Sequence, residues 1–157
     1  MKTTTIIALA VLSAGLATPA TAQDDRAQII AVVNRMFDGM RTKDTAMFRS
    51  TWIPGGKVFG LRVRQDGTSF VQQTSEQEFA AFIARDQRPF LERTFDHEVR
   101  IEREMATVWT PYDFWVNGQF SHCGVDAFQL LKTADGWKIT SITDTFQREG
   151  CPNRPAP

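Results

Sequence analysis

His122, Asp126 and Asp144 are the residues of this chain best suited to chemistry, because all three fall on the apolar face of one predicted β-hairpin, Gln119 to Cys151. Alternation places Phe120, His122, Asp126, Phe128 and Leu130 on one side of the first strand, and Thr133-Ala134-Asp135-Gly136 supplies the turn. In the second strand Trp137 and Ile139 belong on the core side, and so do Ile142 and Phe146. Strict alternation cannot satisfy both sets, whereas a one-residue bulge near Thr140-Ser141 reconciles them. That register sets Leu130 opposite Ile139, Phe128 opposite Ile142 and Asp126 opposite Asp144, the two carboxylates being ~4.5 to 5.5 Å apart at Cβ. Like charges that close in an apolar cavity resist double ionisation. One pKa then rises, and the pair titrates as a unit able to divide the roles of base and acid. In the competing arrangement one Asp sits at the solvent rim of the sheet, or an arginine neutralises both.

His122 shares its face with Asp126, and the Asn117-Gly118 turn sets Asp113 opposite it on the preceding strand, where a carboxylate would orient the imidazole for proton transfer. A structural hydrogen-bonding role is the alternative for a lone histidine. His97, on one face with Phe95 and Val99, is a second candidate for the same pocket. Two histidines and two carboxylates are metal-type ligands, but no short-spaced motif joins His97, His122, Asp126 and Asp144, and no metal is expected. Trp52, Phe59, Tyr112, Phe114, Trp115 and Phe128 are the aromatic residues placed to line or close the pocket, or to fill the core beside it. The chain carries no Gly-rich phosphate loop, Gly-x-Ser-x-Gly elbow or dinucleotide fingerprint, so no nucleotide cofactor is expected.

The elements that must position these groups are legible from periodicity. From Asp24 to about Lys43 the residues Ile29, Ile30, Val33, Met36, Phe37 and Met40 recur at helical spacing, with Asp24 and Asp25 at the helix N-terminus. Asp44 caps a short second helix that runs to Trp52 and is stopped by Pro54-Gly55-Gly56. Lys57 to Val63 and Ser69 to Gln72 are strands around Asp66-Gly67. Ser75 and Glu78 form a capping box for a third helix with the stripe Phe79, Phe82 and Ile83. A strand follows with Phe95, His97, Val99 and Ile101 on one face. Met105 to Val116 is the next strand, with a bend expected at Pro111.

Residues 1–22 read as a secretory signal, with Lys2 in the n-region, Ile6 to Leu16 apolar and Ala20-Thr21-Ala22 as cleavage site. The apolar run is too short to span a bilayer, so no stable membrane insertion is expected. The 135 residues that remain make one domain, expected over 23–151 with a disordered tail at 152–157. Removing Lys2 leaves 17 basic against 18 acidic residues, a balance that gives no overall field for nucleic acid. An exported, periplasmic or secreted chain favours a disulfide between Cys123 and Cys151, since the hairpin brings the chain near residue 147 back alongside Cys123.

Helices first and long strands afterwards make an α+β chain, with N-terminal helices packed on a curved antiparallel sheet. At this level the sequence resembles the nuclear transport factor 2-like superfamily, which includes SnoaL-like, ketosteroid isomerase-like and scytalone dehydratase-like proteins. The resemblance rests on the helix with Ile29, Val33 and Phe37, the step from Lys43-Asp44 to Phe48 and Trp52, and Asp135-Gly136-Trp137-Lys138-Ile139. Phe120-Ser121-His122-Cys123-Gly124-Val125-Asp126-Ala127-Phe128 looks like the exported group labelled lumazine-binding. The resemblance implies a cone-like α+β barrel with a pocket between helices and sheet, mostly metal-free members, and subunits that often pair through the outer sheet face as a homodimer. Scytalone dehydratase-like members use a pair of pocket histidines with a carboxylate, which makes His97 and His122 suggestive. The first-helix tyrosine that some isomerases of this fold use as an oxyanion donor is absent, since the single tyrosine is Tyr112. The expected function is binding of a small apolar or aromatic molecule. Its rivals are a cofactor-independent isomerase or dehydratase acting on a cyclic carbonyl or hydroxy compound, and a dimeric assembly module.

Overall fold

The computed structural model describes residues 20–157, with side chains from residue 23, so the expected signal segment lies outside the described side chains. Helix α1 spans Ala20–Thr42 and begins before Asp24 and Asp25. Those carboxylates therefore sit inside the helix rather than at its start, and they find other partners. Asp24 accepts from Gln28, while Asp25 accepts from Trp137 Nε1 at 3.0 Å and Lys132 Nζ at 2.6 Å, tying α1 to the last hairpin. Helix α2, Thr45–Ser50, is capped by Asp44, whose carboxylate accepts from the Met47 N–H. It ends before Trp52. Pro54-Gly55-Gly56 does not terminate it but lies within strand β1, Trp52–Val63, where the pairing with the neighbouring strand is irregular between Trp52 and Lys57. Gly55 takes φ 83° there, a left-handed conformation open to glycine at little cost.

Strand β2, Ser69–Ser75, returns antiparallel to β1, and α3, Glu76–Arg85, opens with the Ser75/Glu78 capping box. The predicted strand over 95–102 divides differently: β3 is Phe90–Thr94 and β4 is Glu98–Glu102. Both pair with the same edge of β5, Met105–Val116, on either side of a turn at Phe95–His97 in which Asp96 has φ 47°. Pro111 lies opposite that break and, lacking an N–H, offers only its carbonyl, which accepts from the Phe95 N–H. On its other edge β5 runs through Pro111 in regular register with β6, Gln119–Thr133. The bend expected at Pro111 is thus confined to one side.

Strand β7, Gly136–Asp144, completes a seven-stranded sheet ordered β2-β1-β7-β6-β5-β3, with β4 also on β5. The β1–β7 pair is parallel, so the curved sheet is mixed rather than antiparallel throughout, and it does not close. Turn residues encode hairpins; the pairing of β1 with β7 is non-local and leaves no turn signal. Together with the helices packed on one face, this is an α+β fold. The core forms where α1, α2 and α3 cover the inner faces of β5, β6 and β7, around Ile29, Val33, Met36, Phe48, Ile83, Val108, Leu130 and Ile139. Phe128 is fully buried there, edge-on to Phe37. Among the described residues, no helix is long and apolar enough to cross a membrane.

Beyond β7 the chain bridges back to β6 through paired hydrogen bonds between Cys123 and Gln147, and a disulfide joins Cys123 to Cys151. The tail expected to be disordered runs along the outer face, where Arg93 donates to the Pro155 carbonyl and the Arg154 guanidinium lies 3.5 Å from the centre of the Phe95 ring.

Candidate functional site

Register fixes which residues face the helices. On β7 the irregularity falls at Thr140: Gln129 pairs with Ser141 and Leu130 with Ile139, leaving Thr140 unpaired. Asp126 and Asp144 are therefore cross-strand neighbours on the inner face. A second irregularity lies between Phe114 and Trp115, because Ser121 on β6 has no partner. His122 consequently faces Phe114, and Asp113 pairs with Cys123 instead, which places Asp113 on the outer face. There it takes two hydrogen bonds from Arg93, at 2.8 and 2.6 Å, and one from Trp115 Nε1. The expected Asp113–His122 pair does not form. The same bulge sends Phe120 outward against Trp115, so neither faces the cavity.

Between α1, α3 and the sheet lies a cavity of about 490 Å³, with an adjoining chamber of about 260 Å³. Its walls are Met36, Phe37 and Met40 of α1, Phe79 and Phe82 of α3, and Val58 and Ile142 of the sheet. Gln72, Gln73, Glu78 and Arg85, all exposed, form the rim. Asp126 and Asp144 form the floor with two groups that the sequence reading did not include, Glu92 of β3 and Arg62 of β1. Tyr112, Phe114, His122 and Phe146 line the adjoining chamber.

The two aspartates are in different states. Arg62 clasps Asp144 with two hydrogen bonds, of 2.9 and 2.7 Å, in fork-to-fork geometry. Gly60 makes this possible, since a Cβ there would collide with Asp144 Oδ1 and Arg62 Nη1. Gly60→Ala should break the clasp and lower stability by about 1 to 3 kcal/mol, as overpacking does. A urea titration measures this, and a loss below experimental error would mean the ion pair moves aside freely.

Asp126 is buried, and no basic side chain pairs with it among the described residues. The Glu92 carboxyl shares the cavity floor with it. Two carboxyls that close, away from water, resist double ionisation. Burial pushes Asp126 up to about 7, the Glu92 hydrogen bond holds it down in part, and Asp144 adds to the rise. Glu92, half-buried as a residue, is raised well above the usual carboxylate range by loss of water around its carboxyl, then by the charge of Asp126. Both carboxyls are therefore raised, and the pair resists carrying two negative charges at once.

His122 is a neutral aromatic wall here. Burial pushes it down to about 4, the ring stacks on Phe146 at 4.2 Å, and Nδ1 lies 3.0 Å from Ser121 Oγ. Tyr112 crosses beneath Gly124, where any Cβ would strike the Thr145 carbonyl and the tyrosine ring, and its hydroxyl donates to that carbonyl at 2.7 Å. Burial raises the phenol, so it stays protonated.

Four further expectations fall elsewhere. His97 occupies the β3–β4 turn, within 3.1 Å of Thr94 Oγ1, and does not line the cavity. Trp52 packs on Phe48 in the core. Phe59 alternates with the inward Val58 and Gly60 and faces outward. Phe128 is inward but lies deeper in the core than the cavity. The signal for Glu92 was present in Phe90-Leu91-Glu92-Arg93-Thr94, whose alternation pairs Glu92 with Phe90. Arg62 likewise shares a face with Val58 and Gly60.

Among the described residues no three His, Cys, Asp or Glu side chains are placed so that they could hold a metal ion together. Helices on one face of a curved mixed sheet, over a cavity with a polar floor, make a fold like that of nuclear transport factor 2-like proteins. Residues 24–145 match the family described as "Putative lumazine-binding", and the chain belongs to that family. Solved structures of similar fold include an NTF2-like protein of unknown function from Shewanella baltica, at 17% identity and TM-score 0.63, covering 83% of this chain and 99% of that one. Another is a "putative dehydratase" of the NTF2-like family from Streptomyces avermitilis, at 17% identity and TM-score 0.65, covering 82% and 99%. A protein with a cystatin-like fold from Nostoc punctiforme aligns at 12% identity and TM-score 0.65, covering 82% and 95%. At such identities the likeness is one of fold. No curated protein matches the sequence.

Proposed function

We propose that this protein binds a small, ring-containing, largely apolar molecule in the cavity between α1, α3 and the sheet, outside the cytoplasm. One observation carries the reading: the carboxyls of Asp126 and Glu92 lie together at the floor of an apolar-walled cavity of about 490 Å³, both raised above the usual carboxylate range by burial. Such a floor offers a donor and an acceptor side by side, while Phe79 and Phe82 offer ring faces. The family's description names lumazine, a flat heteroaromatic with donors and acceptors of its own, which suits a floor of this kind. The Cys123–Cys151 disulfide supports an oxidising compartment, periplasmic or extracellular.

A second reading is favoured by the position of Asp126 near 7, which suits a general base. It makes the protein a cofactor-independent isomerase or dehydratase of a cyclic carbonyl or hydroxy compound. The two readings part on one variant. With lumazine and 2-naphthylmethanol as probes, Asp126→Asn should weaken binding about tenfold if the floor binds by hydrogen bonding. Under the second reading a panel of cyclic ketones and alcohols shows turnover that the same variant lowers about 10²-fold while binding survives. A folded variant that binds and reacts like the wild type would refute both.

A further inference from the structure

We propose that the preferred occupant of this cavity is an organic cation, a protonated aromatic or alicyclic amine, whose ammonium group sits against Asp126. The inference rests on the binding reading above and adds a charge to it. The argument is a census of the groups that surround Asp126. From β1 comes Arg62, already clasped to Asp144 of β7. From β3 comes Glu92, a second carboxyl whose affinity for a proton is raised by burial, and from β5 and β6 come Tyr112 and His122, both neutral. Helix α1 contributes only Met36, Phe37 and Met40, and β2 only Gln72, Gln73 and Thr74. Helix α3 adds Glu78 and Arg85 at the exposed rim, charges of opposite sign.

The Asp126–Glu92 pair therefore has no cationic side chain of its own among the described residues, since Arg62 is taken by Asp144, and Asp126 is only 4% exposed and lines the cavity. A buried carboxylate without a cation is costly, and a ligand that supplies the cation relieves that cost. A ligand carboxylate or phosphate would meet Asp126, Asp144 and Glu92 with Arg62 already engaged. The walls fit a cation too, since aromatic rings and thioethers attract an alkylammonium more than an anion. Because Asp126 titrates near 7, an ammonium ion competes with a proton for the same carboxylate.

The test is calorimetry on the full mature chain with three probes of one shape: 2-naphthylmethylamine, 2-naphthylmethanol and 2-naphthoate. At about pH 8 the amine should bind about tenfold or more tighter than the alcohol, and the naphthoate weakest. Below pH 7 the amine should weaken by up to about tenfold per pH unit, with proton release seen as a dependence of the heat on the buffer. Asp126→Asn should abolish the preference for the amine while the alcohol still binds. Should Asp126→Asn fail to fold, the wild-type pH dependence carries the test: an amine preference over the alcohol that does not shrink below pH 7 would overturn the proposal. An amine that binds no better than the alcohol would overturn the cation proposal and leave the pocket reading standing. If none of the three binds, the pocket reading falls with it.

Discussion

Replacing both cysteines, Cys123→Ser with Cys151→Ser, should lower the stability of the folded protein by about 3 to 4 kcal/mol. The disulfide spans a sequence separation of 28 residues, and closing a loop of that length removes an entropy from the unfolded chain worth about that much. The closed loop contains the second half of β6, all of β7 and the return to Gln147. It thus holds Asp126 and Asp144 in one covalent frame. Urea unfolding of the oxidised and double-serine proteins measures the difference. Hydrogen exchange at the Gln147 N–H, bonded at 2.9 Å to the Cys123 carbonyl, reports whether the strap frays locally or the whole sheet weakens. A loss below about 1 kcal/mol would mean that the hairpin register holds the strap without the covalent bond.

Stability should also fall as pH rises from about 6.5 to 8, by about 2 kcal/mol, which one extra proton held by the folded state accounts for. The sign follows from the direction of each shift. Glu92 and Asp126 are raised in the folded protein, so it binds more protons than the unfolded chain, and stability is lost as pH climbs through their folded values. His122 and His97 are lowered, and their contribution is lost as pH falls below the ordinary histidine range. The two trends oppose each other below about pH 6.5, so the curve should flatten there. The double variant Glu92→Gln with Asp126→Asn should flatten the alkaline limb. A wild-type curve that rises from pH 6.5 to 8 would contradict the shared proton.

The local rules carried far into this molecule. The conflict between Ile139 and Ile142 demanded a bulge, and with it came the opposition of Asp126 and Asp144, because a one-residue slip would have sent half the apolar side chains of β7 into water. The capping box at Ser75, the Asp44 cap and the Cys123–Cys151 bond were legible for the same reason: each depends on residues brought together by a turn or a hairpin.

What the tertiary structure alone decided lies across strands distant in sequence. Ser121 could have paired with Phe114, and no feature of its own type marks it as a bulge; the bulge is fixed by packing, with Phe114 and His122 together on the inner face and Trp115 and Phe120 together on the outer. Glu92 meets Asp126 only because the curved sheet folds β3 toward β6, and Arg62 meets Asp144 only because β1 docks parallel to β7. Sequence alternation determined which face each ionisable side chain takes within its own hairpin. Which charges then meet across the cavity, and hence which carboxyls are raised, depended on non-local pairing and burial, and neither is written in any single segment of the chain.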